Sequence, residues 1–145
     1  MIIKKLTSSD INKIYALGKK QFGEEFWFTR KYIKETFKNN GYYFGAYEKN
    51  KLIGAILVNR FDQPKLWIFF LEVAEEYRNL GIATKLLKKV EKSVPKNYSI
   101  LFTDFEKNDK EALAFYKKHR FKKQAVIRDW YGKNTKGLIY TKYLS

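Results

Sequence analysis

The run Arg78-Asn79-Leu80-Gly81-Ile82-Ala83-Thr84 joins an apolar strand-like segment, Leu66 to Val73, to a helix-like segment, Thr84 to Val94. In the second segment Leu86, Leu87, Val90 and Val94 recur at helical spacing. A junction of this kind binds anions. The first amides of a helix have no intrahelical partner, and the helix dipole adds positive potential there. Gly81 lets a ligand approach the backbone, and Ala83 adds little bulk. Arg78 offers a charged fork suited to phosphate oxygens. This chemistry predicts a diphosphate ligand. The competing reading of Gly81 is a packing glycine between strand and helix.

Other elements must hold this loop in place. Ile2 to Leu6 reads as a short strand. Thr7-Ser8-Ser9-Asp10 carries capping-box chemistry ahead of a helix with Ile11, Ile14, Tyr15 and Leu17. Thr29 reads as the N-cap of a second helix bearing Tyr32, Ile33 and Phe37, which stops at Asn39-Asn40-Gly41. Tyr42 to Glu48 and Lys51 to Arg60 form a hairpin around Lys49-Asn50. Pro64 marks a turn, and Leu66 to Val73 follows as a third antiparallel partner. After the loop and its helix come a strand from Ser99 to Asp104 and a helix from Asp109 to His119. Strands Gln124 to Trp130 and Leu138 to Leu144 close the chain. The order βααβββαβαββ predicts one mixed α/β domain over residues 1–145, large enough for a single core.

Composition removes several chemistries. Cysteine is absent, so disulfides, thiolate catalysis and cysteine-based metal sites are excluded. His119 is the only histidine, which excludes a histidine-rich metal site and leaves one candidate for any Ser-His-Asp triad. No run is apolar enough to span a bilayer, and Lys4 and Lys5 interrupt the apolar start. The expectation is a soluble cytoplasmic protein with no metal. Thirty basic residues against 15 acidic ones give a formal charge of +15, which suits an acidic partner. The lysines are spread along the chain, as on a solvated surface.

A second motif reads Asn108-x-x-x-Ala112-x-x-Phe115-Tyr116-x-x-x-x-Phe121 and follows the strand ending at Asp104. With both motifs and this element order, the chain resembles the GNAT superfamily of acetyl-coenzyme A-dependent N-acetyltransferases over nearly its whole length. The resemblance implies a GNAT-like fold. Its sheet is mixed and mostly antiparallel, splayed at the cofactor strand and flanked by about four helices. It implies that Leu71, Glu72 and Val73 offer backbone groups to pantetheine, and that Arg78 to Thr84 wrap the pyrophosphate of acetyl-CoA. Asn108 is implied as a partner of the pantetheine arm, and Tyr116 as the acid for the leaving thiolate. A thiolate has the proton affinity of a group near pKa ~8.5, and a tyrosine near ~10 holds its proton at neutral pH and donates it late. Two positions depart from the family pattern: Glu75 replaces a common proline, and Arg120 replaces the usual glycine before Phe121. The positions matching the family's base are Trp67 and Thr103, and neither is a base. Glu72 and Asp104 are nearby carboxylates able to relay a proton through water.

The lack of a base bears on the acceptor. Presenting a neutral lysine at pH 7 costs roughly 4–5 kcal/mol, against about 1 for an α-amine. An α-amine is therefore the expected acceptor. Val126-Ile127-Arg128-Asp129-Trp130-Tyr131 resembles the strand and loop of the N-terminal protein acetyltransferase branch, including its ribosomal-protein-alanine type. That resemblance implies that Tyr131 holds the acceptor peptide, with Phe26, Trp27 and Phe28 as the opposite wall. The alternatives are a small-molecule amine, a lysine side chain, a nucleic-acid-binding module with Tyr42, Tyr43 and Phe44 as stacking platforms, and an acyl-CoA sensor without turnover. A monomer and a homodimer both fit.

Overall fold

The computed structural model describes residues 1–23 and 28–144. Among these residues seven strands and four α-helices follow the expected order: β1 (Ile2–Lys5), α1 (Ile11–Phe22), α2 (Arg30–Phe37), β2 (Tyr42–Glu48), β3 (Lys51–Arg60), β4 (Lys65–Val73), α3 (Ile82–Ser93), β5 (Ile100–Glu106), α4 (Lys110–Lys118), β6 (Lys122–Arg128) and β7 (Lys136–Tyr143). The hydrogen-bonded strand order is β1-β2-β3-β4-β5-β7-β6. The chain divides into two compact units, Met1–Arg60 with Phe69–Pro95, and Phe61–Ile68 with Lys96–Ser145.

In the first unit β1 pairs antiparallel with β2, and β2 antiparallel with β3. The hairpin turn places Lys49 at φ 56°. β3 is an almost unbroken apolar run, and Leu52 to Val58 are all buried, as expected of a strand covered on both faces. Leu52, Ala55 and Leu57 join Ile14, Ile33, Tyr43 and Tyr47 in a core with α1 and α2. Gly54 lies against Ile82 and Leu86 of α3. Phe28 is sandwiched between Tyr15 and Phe70, with centroids 5.7 and 5.5 Å away and rings nearly parallel. It is only 1% exposed. It therefore belongs to this core and forms no wall of an acceptor site, which corrects the sequence expectation.

Local signals set the helix starts. The Thr7 amide donates to Asp10 Oδ2 at 2.9 Å, and Ser9 N–H reaches Thr7 Oγ1, which closes the capping box on a short 3-10 turn before α1. Thr29 Oγ1 accepts the Tyr32 amide at 3.1 Å at the start of α2. α3 begins at Ile82, two residues before the expected Thr84, with the left-handed Gly81 in the N-cap position and no side chain capping it.

In the second unit, Lys65 to Ile68 of β4 pair parallel with Ile100 to Thr103 of β5. β5 pairs antiparallel with β7, and β7 with β6. Leu101, Thr103 and Phe105 of β5 are buried, while the alternate residues Phe102 and Asp104 are on the other strand face. Phe105 stacks on Tyr116 of α4. β6 ends at Arg128, before the expected Trp130, because Asp129 adopts φ 59° and begins a turn.

Candidate active site

The segment between β4 and α3 opens as a 3-10 turn, Glu75–Tyr77. Asn79 and Gly81 then adopt left-handed backbone, with φ 64° and 80°. Leu80 between them is 64% exposed. Asparagine tolerates this region and glycine has no penalty in it. Gly81 brings no side chain to cap α3, and a Cβ placed on it would meet nothing within 4 Å. The first turn of α3, Ile82, Ala83 and Thr84, thus begins at an open approach without a capping side chain. Amides at such a start have no i−4 carbonyl. This arrangement fits a diphosphate.

Arg78 plays an additional part. Its Nε–H donates to the Val73 carbonyl at 3.1 Å, and one terminal nitrogen donates to Gln21 Oε1 at 3.0 Å. The same nitrogen lies 3.8 Å from a Glu72 carboxylate oxygen. The guanidinium therefore ties the end of β4, the loop and α1 together. A cavity of about 570 Å³ adjoins it, bordered by Lys13, Lys20, Lys51, Glu75 and Glu76. Leu71, Glu72 and Val73 form the last three positions of β4, each partly buried. Glu72 is half of an ion pair.

In the second unit Tyr116 is 6% exposed. Its ring lies parallel to Phe105 at 5.5 Å and meets Phe121 edge-on at 5.0 Å. Asn108 is exposed just ahead of α4, and its neighbour Asp109 caps the helix by accepting the Ala112 amide at 3.0 Å. Thr103 is buried and donates its hydroxyl to the Ile68 carbonyl at 3.3 Å. Neither it nor Trp67 supplies a proton acceptor.

Asp104 has a part the sequence reading missed. Trp67 Nε1–H donates to its Oδ1 at 2.8 Å. Trp130 Nε1–H and the Tyr131 hydroxyl both donate to its Oδ2, at 3.1 and 2.5 Å. Burial, then the Asp104 charge and hydrogen bond, push the Tyr131 phenol far above its ordinary range, with a smaller upward contribution from Glu106. Tyr131 thus remains a donor. Strand alternation places Trp67 and Asp104 opposite Leu66 and Thr103, a signal that could have paired them. Phe26 and Trp27 lie outside the described residues.

Among curated proteins, an N-alpha-acetyltransferase of Saccharolobus solfataricus is 36% identical over 63 residues. The match covers 42% of this chain and 38% of that protein, so the chain matches well under half the relative's length. The crystal structure of Ard1 from Thermoplasma volcanium superposes with a TM-score of 0.91 at 17% identity, covering 99% of this chain and 97% of that one. The ribosomal-protein-S18-alanine N-acetyltransferase of Escherichia coli gives 0.86 at 16% identity, covering 99% and 94%. These structures share the fold. The family model of the GNAT acetyltransferases matches residues 10–121, spanning both the open approach to α3 and the α4 motif, so the chain belongs to the GNAT acetyltransferase family.

Proposed function

We propose that residues 1–145 act as one acetyl-CoA-dependent N-acetyltransferase domain in the cytoplasm. Its acceptor is the α-amine of a peptide or protein N-terminus. The observation that carries this reading is the open, uncapped start of α3 at Gly81. Amides from Gly81 to Thr84 hold the diphosphate, with Asn79 and Leu80 shaping the turn and Arg78 fastening it to β4. Backbone groups of Leu71 and Val73, together with Asn108, position the pantetheine arm. Acetyl-CoA, when bound, supplies an activated acyl thioester.

The chain's own groups do the rest. The Val73 amide polarises the acyl carbonyl in the manner of an oxyanion donor. Tyr116 gives its proton to the departing sulfur. The acceptor amine loses its proton to water, with Glu72 as the carboxylate able to relay it. Tyr131 holds the acceptor's backbone. The likeness to the Saccharolobus N-alpha-acetyltransferase supports an α-amine acceptor, as does the lack of a base at Trp67 and Thr103.

The test compares a peptide bearing a free N-terminus with one whose N-terminus is blocked and which carries lysine. Released coenzyme A thiol and product mass are measured. Turnover of the free peptide, with the blocked one nearly inert, is expected. Equal turnover of the two overturns the α-amine assignment.

A further inference from the structure

Asp104, which takes no part in the transfer reaction as described, sits at the centre of a hydrogen-bonded group that includes Tyr131. Its carboxylate accepts from two indoles and a phenol, carried by β4 and by the loop between β6 and β7 in the second unit. A carboxylate offers about four lone-pair sites, so three of them are occupied by neutral donors. Bonds to an ionised acceptor are short and directional, which fixes rings as well as charges.

The loop that carries two of those donors is ordered from within. Asp129 N–H donates to the Thr135 carbonyl at 2.7 Å. Asn134 N–H donates to Asp129 Oδ1 at 2.9 Å, and Tyr131 N–H to Thr135 Oγ1 at 3.0 Å. Asp129 and Asn134 adopt φ 59° and 68°. Trp130 lies so close over Gly137 of β7 that any Cβ there would collide with the indole. Yet Trp130 remains 47% exposed. The opposite end of the group is also aromatic: Trp67 stacks on Phe102, and Phe61, 50% exposed, meets both rings edge-on. Fastened rings beside the half-exposed Trp130 and Phe61 form a wall, not a core.

We propose that Asp104 is a positioning residue for the acceptor: it clamps Trp67, Trp130 and Tyr131 into a rigid aromatic wall against which an N-terminal peptide lies. This rests on the peptide-acceptor reading above. Asp104 does not touch the reacting atoms. Replacing it by asparagine keeps the size and exchanges one acceptor oxygen for an NH2 group, which in either orientation faces an indole N–H it cannot accept from. The group then loses the tie to Trp67 or the tie to Trp130. Gly137→Ala displaces Trp130 while leaving Asp104 in place.

The test uses the full chain and a hexapeptide with a free N-terminal alanine. For Asp104→Asn, the peptide KM rises about tenfold or more, while kcat stays within about threefold, as for a lost positioning contact. Acetyl-CoA affinity is unchanged, and the indole N–H resonances of Trp67 and Trp130 shift. Gly137→Ala reproduces the KM effect, and it carries the test alone if Asp104→Asn does not fold. An unchanged peptide KM with shifted indole resonances overturns the inference and leaves the proposed reaction standing. A fall in kcat at constant KM, with a displaced acidic limb of the pH profile, also overturns it, because Asp104 then takes the proton itself. If the wild type acetylates no peptide, the proposed acceptor is wrong, and quenching of tryptophan fluorescence by the peptide decides the inference. Equal binding by wild type and variant, or no binding by the wild type, overturns it.

Discussion

Tyr116 shows how little of a residue the chemistry needs. Its ring stacks on Phe105 and meets Phe121, contacts that phenylalanine would keep. Tyr116→Phe is expected to retain its acetyl-CoA affinity while kcat falls by about 10²–10⁴, the range for a lost general acid. Steady-state kinetics beside a binding titration checks this, and an unchanged kcat removes Tyr116 from the mechanism. Tyr47 makes a different prediction. Burial, followed by its hydrogen bond to Asp10 and the Asp10 charge, pushes its phenol up to about 12. The folded state thus favours the neutral form over an unfolded tyrosine near 10, so the contribution is complete below about pH 10 and is lost as pH rises towards 12. Wild type should lose about 2–3 kcal/mol more than Tyr47→Phe across that interval in urea titrations.

At the scale of elements, the exit of α4 holds a residue in glycine's conformation. Arg120 adopts φ 70° directly after the helix, where the family pattern has glycine. Arg120→Gly should raise stability by about 1 kcal/mol by relieving left-handed strain, measured by denaturant unfolding. A loss of stability would mean that the arginine side chain outweighs its backbone. α1 has the opposite requirement. A Cβ on Gly18 would run into Phe28 and Phe70, so Gly18→Ala should cost about 1–3 kcal/mol by overpacking.

These elements were largely legible because periodicity and caps are local signals. The spacing of Leu86, Leu87 and Val90 gave α3, and Thr29 gave the start of α2. The diphosphate loop was legible for the same reason, since Gly81 and the helix after it are neighbours in sequence. Phe28 was misread because adjacency to Trp27 says nothing about which way a ring turns. The partners of Asp104 went unseen because Trp67, Asp104 and Trp130 meet only through strand pairing and a loop that returns to β5. Arg78 was read as a phosphate fork, and its ties to Val73, Gln21 and Glu72 depend on tertiary structure in the same way.

For the whole molecule, charge sets the long-range behaviour. At +15, the chain attracts a polyanionic carrier and opposes highly cationic acceptors such as polyamines. Acetyl-CoA affinity should therefore fall as salt rises, because screening shortens to about 8 Å at physiological ionic strength. Among the described residues no helix is long and apolar enough to cross a membrane.

Binding of acetyl-CoA at the start of α3 underlies every step proposed for the reaction. Isothermal titration calorimetry at low ionic strength, on wild type and Gly81→Val in parallel, tests it most directly. The account predicts one-site heat for the wild type and at least about tenfold weaker binding for the variant, whose β-branched residue is forced into left-handed backbone at the cap. No heat from the wild type, or equal affinity in the two proteins, would contradict it.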